Sequence, residues 1–255
     1  MFRYARISSF LAALALVAAT PLRAADPANA AITTVNTQPP SVILIGFVGG
    51  FVRHDNPHQQ PVLLAQRMRN SLPRTAFVQV FENRRRKAAY KTILRLLDGD
   101  HDGSLSNDEK AKARIILFGH SWGAASAVLL ARDLGREGVP VLLTVQVDSV
   151  RKLWQDDGVI PKNVAAAANF YQPHGLIHGR PEIKAADATK TEILGSYRFD
   201  YNQEPVKCAN LSWFDHLTPS HAQSECDPRL WSQVETLVRQ RTEFEKTDMA
   251  AIPGN

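Results

Sequence analysis

The sequence predicts an α/β protein in which a mostly parallel sheet is covered by helices on both faces. Three short apolar runs, 41–45, 114–118 and 139–147, are typical of strands that are buried on both faces. Helical patterns alternate with these runs, and such alternation favours a parallel sheet. The chain has 255 residues, 44% of them hydrophobic. This is enough for one α/β domain with a sizeable core, expected over 31–255.

The predicted elements follow one another along this domain. The predicted strands are 41–45, 76–81, 114–118, 139–147 and 167–171. The predicted helices are 61–71, 83–97, about 124–134 and 228 to about 245. The first strand breaks into the glycine-rich stretch G-F-V-G-G at 46–50. The last helix is expected to begin at Asp227-Pro228, with Asp as the N-cap and Pro as the first helical residue.

Residues 1–30 have the features of an export signal and its cleavage region. Arg3 and Arg6 precede an apolar run at 10–19, which is too short to span a bilayer. Three alanines offer cleavage points: Ala24, Ala25 and Ala30. We expect a periplasmic or secreted protein with no membrane span after signal removal, and an uncleaved membrane anchor is the alternative.

The charge balance gives no reason to expect a nucleic-acid partner. The formal charge is +5, from 30 Lys and Arg against 25 Asp and Glu. Cleavage after residue 24 or 25 would remove three arginines and leave 27 basic residues against 25 acidic ones, a charge of +2. The one basic cluster, 84–87, opens a predicted helix and is interpreted as a solvated face.

A candidate nucleophile lies in Gly119-His120-Ser121-Trp122-Gly123, which fits the pattern G-x-S-x-G. An apolar strand precedes the motif and a helix of small residues follows it, which is the context that the pattern requires. The two glycines allow strand and helix to approach closely, so that a sharp turn lifts the Ser121 hydroxyl out of the sheet. We therefore predict that Ser121 is a nucleophile rather than part of an ordinary turn.

A serine nucleophile needs a base to take its proton and a carboxylate to orient that base. Asp148 ends the predicted strand 139–147, which directly follows the strand and helix that carry Ser121. In a parallel sheet it is therefore expected at the same edge as Ser121. The weaker candidates, which follow less clear strands, are Asp187, Asp200 and Asp215.

The base is expected after the acid, in the segment that leads to the last helix. His221 and His216 both lie there, and His221 is preferred because it is nearer to the helix start. The remaining alternatives are His174 and His178. Cys208 and Cys226 bracket both preferred candidates, and a disulfide between them, expected in an exported chain, would hold the base in position.

An oxyanion formed at the serine would need two backbone N–H donors, one after the nucleophile and one in the loop after an early strand. Trp122 and Phe47 fit these two places, with Val48 as the alternative to Phe47.

In these features the chain resembles the α/β-hydrolase superfamily, in particular its secreted lipase- and esterase-like members. The resemblance rests on G-F-V-G-G, G-H-S-W-G, Asp148 and His221, and it covers the chain from Val42 to the last helix. It implies a Ser-Asp-His triad with an oxyanion hole, acting on a small-molecule or lipid ester. Two departures are visible. Ile45-Gly46 stands where lipases commonly have His-Gly, and the acid follows an earlier strand than is usual, as in the pancreatic-type lipases.

Residues 98–109 resemble an EF-hand calcium loop. Oxygen-bearing side chains stand at loop positions 1, 3, 5, 7 and 12, which are Asp98, Asp100, Asp102, Ser104 and Glu109. Gly103 supplies the sharp turn at position 6. The chain has no second such loop, and only about two helical turns could fit before the next strand. We therefore expect a structural calcium ion rather than a calcium sensor.

Together these features predict an exported serine hydrolase that acts on an ester and is stabilised by calcium. Two alternatives remain. One is a hydrolase of another acyl bond, a thioester or an amide. The other is a non-catalytic, calcium-dependent binding protein on a hydrolase scaffold.

Overall fold

The computed structural model describes residues 39–152, 155–209, 211 and 213–250. The predicted signal segment 1–30 and its cleavage points lie outside these residues. The described chain from Pro39 onward belongs to one compact unit. Within it, every helix is too short or too polar to cross a membrane.

The core of the fold is a sheet of six parallel strands in the order β2-β1-β3-β4-β6-β8. The strands of this sheet are β1 (Ile43–Val48), β2 (Phe77–Glu82), β3 (Ile115–His120), β4 (Val141–Val147), β6 (Val164–Tyr171) and β8 (Glu192–Arg198). A separate parallel pair consists of β5 (Val159–Ile160) and β7 (Lys184–Ala185). Every strand of the six-stranded sheet points the same way, so the carboxyl ends of β3 and β4 meet at one edge.

Helices cover both faces of the sheet. The helices are α1 (Gln60–Ser71), α2 (Arg86–Leu97), α3 (Asn107–Ala111), α4 (Trp122–Arg136), α5 (Trp213–Leu217), α6 (Pro219–Cys226) and α7 (Pro228–Ala250). On one face, α2 and α4 pack on the strand side chains in a cluster that includes Phe47 and Leu117. On the other face, α1 and α7 form a second cluster with Leu44 and Phe118. The predicted fold class, an α/β fold with a mostly parallel sheet and helices on both faces, is confirmed.

The central strands have side chains buried on both faces because helices cover both. Successive residues of β1 alternate between the two clusters: Ile43 and Ile45 face α2 and α4, whereas Leu44 faces α1 and α7. Gly46 continues the strand, since it pairs with Val80 of β2 and Phe118 of β3. The Phe118 ring fills the space beside it, and an added Cβ would lie 2.6 Å from that ring. The first strand therefore extends to Val48, further than the apolar run alone predicts.

Beyond the longer β1 and the unpredicted short pair β5 and β7, three further parts of the fold differ from the predicted elements. The helix predicted over 83–97 begins with a 3₁₀ turn at Asn83–Arg85, and α2 follows it. The edge strand β8 was not predicted, because its side chains are exposed or half-buried and form no apolar run. The short helices α5 and α6 occupy the segment expected to be a loop before the last helix.

Candidate active site

Ser121 occupies a sharp, strained turn between β3 and α4. Its backbone has φ 57° and ψ −127°, a region that non-glycine residues seldom adopt, at a typical cost of about 1–3 kcal/mol. The flanking glycines permit this turn, since an added Cβ on Gly119 would lie 2.5 Å from the Gly123 backbone. The turn therefore has the strand-turn-helix geometry expected of a nucleophile elbow.

His221 and Asp148 lie beside Ser121 in the predicted order. The Nε2 atom of His221 is 3.0 Å from Ser121 Oγ, and its Nδ1 atom is 2.6 Å from Asp148 Oδ2. The exposed fractions are 7% for Ser121, 8% for His221 and 0% for Asp148. The α6 helix carries His221 on its first turn and thereby presents the imidazole to the carboxyl edge of the sheet.

Asp148 is fixed at the end of β4 by its neighbours. Its carboxylate accepts hydrogen bonds from the Gly179 N–H at 2.5 Å, from the Gln172 N–H at 3.2 Å and from the Gln172 side-chain amide at 3.0 Å. Burial alone would raise the pKa of Asp148, but hydrogen bonds from His221 and Gln172 and the charges of His221 and His120 hold that pKa below its ordinary value. The carboxylate is therefore ionised and able to orient the imidazole.

The other candidates for acid and base lie away from this contact. His216 lies on α5 and is exposed. His174 pairs with Asp200 at 2.8 Å, so these two alternatives interact with each other rather than with Ser121. Asp187 accepts hydrogen bonds from Thr189 in an exposed turn. The geometry thus selects His221 and Asp148 as the partners of Ser121.

The predicted disulfide between Cys208 and Cys226 is present, with Cα atoms 5.7 Å apart. Cys226 is the last residue of α6, the helix that carries His221. The bridge ties the irregular chain before α5 to the end of this helix, and so restricts the segment that presents the imidazole.

A second histidine, which the sequence did not single out, stacks on His221. The ring centroids of His120 and His221 are 4.7 Å apart and the rings are inclined by 29°. The Nε2 atom of His120 is 3.0 Å from Ser224 Oγ, and its Nδ1 atom is 2.8 Å from Glu225 Oε2. Ser224 Oγ lies 3.3 Å from Asp148 Oδ2, so the His120–Glu225 pair is connected to Asp148 through Ser224.

The charge state of His120 follows from this environment. Burial alone would lower its pKa, but the Glu225 carboxylate, with smaller contributions from Asp148 and Asp215, raises it above the ordinary value for histidine. His120 fills the variable position of G-x-S-x-G and Glu225 precedes Cys226, but nothing in either position indicates an ion pair. Only the packing of α6 against β3 reveals it.

Of the residues expected as oxyanion donors, Trp122 lies at its expected place in the fold, whereas Phe47 and Val48 do not. Trp122 is the first residue of α4 and directly follows Ser121, and its role as an oxyanion donor stays a prediction. The expectation that Phe47 or Val48 lies in the loop after the first strand is wrong, because β1 includes both, with Phe47 paired to Phe81 and Gly119. The loop begins at Gly49, whose backbone lies so close to Ser121 that an added Cβ would be 2.9 Å from Ser121 Cβ.

Among the residues that the structure describes, two groups of side chains could hold a metal ion. His120, Asp148 and His221 place ligand atoms within 4.8 Å of one another, but their hydrogen bonds already account for these contacts. The second group is Asp98, Asp100 and Asp102, which are half-buried or exposed.

Residues 98–109 form a turn between α2 and β3 that is held by hydrogen bonds from its own backbone to Asp98 and Glu109. Asp98 Oδ2 accepts a hydrogen bond from the Gly103 N–H at 3.1 Å, whereas the buried Asp98 Oδ1 has no hydrogen-bond partner in the described part of the chain. Glu109 accepts from the N–H groups of Gly99 and Ser106, at 2.7 and 2.8 Å. The hydrogen bonds from the Ser106 backbone and side chain, and then from Gly99, lower the pKa of Glu109 to about 2.

The short exit helix is also present, because Ser106 and Glu109 form a capping box at the start of the five-residue helix α3. The loop thus lies between the end of α2 at Leu97 and the short helix α3, and its calcium-binding role stays a prediction.

Comparisons with known proteins give distant structural likenesses. No family model matches the chain, and no curated protein matches it. Similar solved structures include RedJ with a PEG molecule bound in the active site, at 14% identity and a TM-score of 0.38, covering 80% of this chain and 94% of that one. Dienelactone hydrolase from Anabaena variabilis has 11% identity and a TM-score of 0.39, covering 79% and 85%.

An iodinated complex of acetyl xylan esterase has 10% identity and a TM-score of 0.36, covering 80% of this chain and 100% of that chain. Structural likenesses at these TM-scores do not indicate an activity for this chain.

Proposed function

We propose that the chain is a serine hydrolase that cleaves a carboxylic ester with Ser121 as nucleophile, His221 as base and Asp148 as the orienting acid. The observation that carries this proposal is the unbroken hydrogen-bonded series from Ser121 Oγ through His221 to the buried Asp148, at 3.0 and 2.6 Å. A strained serine at the end of a strand supports the same function, because backbone strain clusters at functional sites.

In the proposed reaction, Nε2 of His221 takes the Ser121 proton as Oγ attacks the ester carbonyl. The carbonyl π electrons move to oxygen, and the resulting oxyanion accepts hydrogen bonds from backbone N–H groups. We propose Trp122 N–H as one donor, and an N–H of the loop at Gly49 in place of Phe47 as the other. The C–O bond to the alcohol then breaks, and the imidazolium gives its proton to the departing oxygen.

Water completes the cycle by the same steps. His221 takes a proton from water, the hydroxide oxygen attacks the acyl carbonyl, and the acid is released as Ser121 recovers its proton. Throughout, the ionised Asp148 keeps Nδ1 protonated and stabilises the imidazolium. A thioester or an amide would follow the same path. Rates measured over a series of ester, thioester and amide substrates would show which acyl bond is cleaved fastest.

We also propose that residues 98–109 bind a structural calcium ion. Support comes from Asp98, Asp100 and Asp102, whose carboxylate oxygens lie within 4.8 Å of one another, and from the buried Asp98 Oδ1, which lacks a hydrogen-bond partner among the described residues. The loop spacing adds Ser104 and Glu109 as the remaining oxygen donors. Bound calcium would supply charge balance for these carboxylates and would fix the end of α2 relative to β3. Export to an oxidising, calcium-rich compartment is part of the proposal, and the disulfide is compatible with it.

Hydrolysis of a 4-nitrophenyl ester series by the purified protein tests the enzymatic function. Ser121→Ala and His221→Ala should each remove nearly all activity, and His216→Ala serves as the matched control that should retain it. Activity that persists in Ser121→Ala would refute the proposed nucleophile. A folded, calcium-supplemented protein without activity towards esters, thioesters or amides would favour the non-catalytic binding protein instead.

A further inference from the structure

A cavity of about 390 Å³ opens beside the Ser121 turn. Three parts of its wall continue along the chain from residues of the site, and Asn83 and Arg84 of the 3₁₀ turn after β2 complete it. Gly50 follows Gly49, Trp122 follows Ser121, and Arg151 and Lys152 follow the strand end that carries Asp148. The backbone N–H of Val150 lies 3.4 Å from the Ser121 carbonyl oxygen, which joins this last segment to the nucleophile turn. The cavity wall therefore includes the residue that directly follows Ser121 and a segment hydrogen-bonded to the Ser121 turn.

The cavity carries positive charge that the protein does not neutralise. Lys152 and Arg151 both line it, and neither forms an ion pair with a carboxylate in the part of the chain that the structure describes. Arg84 also lines the cavity but is already paired with Glu82 at 3.0 Å. Basic side chains on a protein surface are commonly paired or freely solvated, and Lys152 is neither.

Lys152 is held in a fixed position by polar and aromatic contacts. Its Nζ atom donates a hydrogen bond to Asn83 Oδ1 at 2.5 Å and lies 5.5 Å from the centre of the Trp122 ring. The Asn83 side-chain amide donates in turn to the Gly50 carbonyl. Burial and the nearby Arg86 charge lower the pKa of Lys152, which is the response of an ammonium group that lacks a compensating anion.

Apolar contact area lies beside these cations. Phe51 packs edge-on against Trp122, with ring centroids 5.7 Å apart, and it is 82% exposed. The cavity thus combines aromatic surface with an ammonium and a guanidinium group. This combination fits a short carbon chain that ends in a negatively charged group better than it fits a wholly apolar acyl chain.

From this geometry we infer that the preferred substrate is an ester that carries a carboxylate, which binds to Lys152 and Arg151 while its carbonyl lies at Ser121. The inference rests on the proposed function and defines its substrate class. Lys152 would act as the fixed charge and the exposed Arg151 as a second donor. Neither residue contacts the reacting atoms, so both would affect which substrate is preferred rather than the bond-breaking step.

Two esters of matched size test this inference. The 4-nitrophenyl monoester of glutaric acid and 4-nitrophenyl valerate have five-carbon acyl chains that differ in whether a carboxylate or a methyl group ends the chain. The wild-type protein should favour the glutarate monoester in kcat/KM by about 10- to 100-fold, the range of a hydrogen bond to a charged group. The preference should weaken as the salt concentration is raised, because salt screens the exposed charge of Arg151.

Lys152→Met should reduce the ratio of the two kcat/KM values to near one, and Lys152→Glu should invert it. Arg151→Gln should lower the ratio in part, and because Arg151 is exposed this variant also tests the inference if substitution of Lys152 disturbs folding. Lys87→Met, an exposed lysine of α2 outside the cavity wall, is the matched control and should keep the wild-type ratio.

Hydrolysis of both esters at equal rates, or a preference that survives both substitutions, would overturn the anionic substrate class and leave the hydrolase function standing. Failure to hydrolyse either ester, together with absent labelling of Ser121 by a fluorophosphonate, would overturn the proposed function and this inference with it.

Discussion

Replacement of Glu225 by Gln tests the buried ion pair that His120, stacked on His221, forms with Glu225. Glu225 Oε2 lies 2.8 Å from His120 Nδ1, and Oε1 accepts a hydrogen bond from the Gln60 N–H at 2.7 Å. The amide of Gln can keep the bond from Gln60 through its own carbonyl oxygen. The substitution therefore removes the negative charge beside His120 while it preserves side-chain size and most of the packing.

The expected loss of stability follows from the burial of both partners. The exposed side-chain fractions are 7% for His120 and 12% for Glu225. Removal of one partner from a buried pair costs about 3–5 kcal/mol when the other stays charged. His120 can instead lose its proton and keep its contact with Ser224, so we expect a decrease of about 1–3 kcal/mol in the free energy of unfolding.

The pH dependence distinguishes this pair from an ordinary contact. The folded-state pKa of His120 is raised, so the stability that the pair contributes is fully present below the unfolded-state pKa of about 6.5. It is lost as the pH rises through the folded-state pKa. The difference between wild type and Glu225→Gln should thus be largest near pH 6 and should narrow under alkaline conditions.

Urea unfolding followed by circular dichroism between pH 5.5 and 9 measures these differences. The control is Glu204→Gln, because Glu204 is 74% exposed and pairs with Arg229 at 2.6 Å on the surface. This control should change stability by about 1 kcal/mol or less. A Glu225→Gln difference that is no larger than that of the control, or that is constant over this pH range, would refute the buried charged pair.

Three further predictions concern the triad, the disulfide and the calcium loop. Asp148→Asn should lower kcat by about 10⁴-fold in ester hydrolysis with the fold retained, because the neutral amide no longer stabilises the correct tautomer of the base. The double substitution Cys208→Ser and Cys226→Ser should lower the free energy of unfolding by about 3 kcal/mol in urea titrations, since the bridge closes a loop across 18 residues. Calcium chelation should lower both Tm and ester hydrolysis of the wild type, and Asp98→Asn should reproduce that decrease and remove most of the response to chelator.

Each of these predictions has a distinct contrary result. Retention of wild-type kcat in Asp148→Asn would show that another group orients the base. Equal urea midpoints with and without the two cysteines would mean that the bridge does not constrain the unfolded chain. A Tm that is the same in chelator and in calcium would leave residues 98–109 as an acidic turn without an ion.

The sequence predicts the sheet and the triad geometry well because both depend on local patterns. The apolar runs at 114–118 and 139–147 correspond to the central strands β3 and β4, and each is followed directly by a polar side chain of the site. Since parallel strands bring their carboxyl ends to one edge, Ser121 and Asp148 meet there without any further information. His221 follows from its position before the last helix, although the sequence also permits His216.

The remaining features depend on long-range packing that a pattern does not encode. The His120–Glu225 pair exists because α6 packs over the end of β3, which brings together residues that are far apart in sequence. The loop beside Ser121 begins at Gly49 rather than at Phe47, because β1 continues past its apolar run, through Gly46. The sequence does not predict β8, because this edge strand has partly exposed side chains without apolar periodicity.

The proposed nucleophile is tested most directly by reaction with a fluorophosphonate followed by intact-mass measurement and peptide mapping. A protein that uses Ser121 as nucleophile should gain one phosphonyl group on the peptide that contains Ser121, and Ser121→Ala should gain none. Labelling should also fall sharply in His221→Ala, because the serine then lacks its base. A folded wild-type protein that stays unmodified, or an adduct that maps to another residue and persists in Ser121→Ala, would contradict the proposed function.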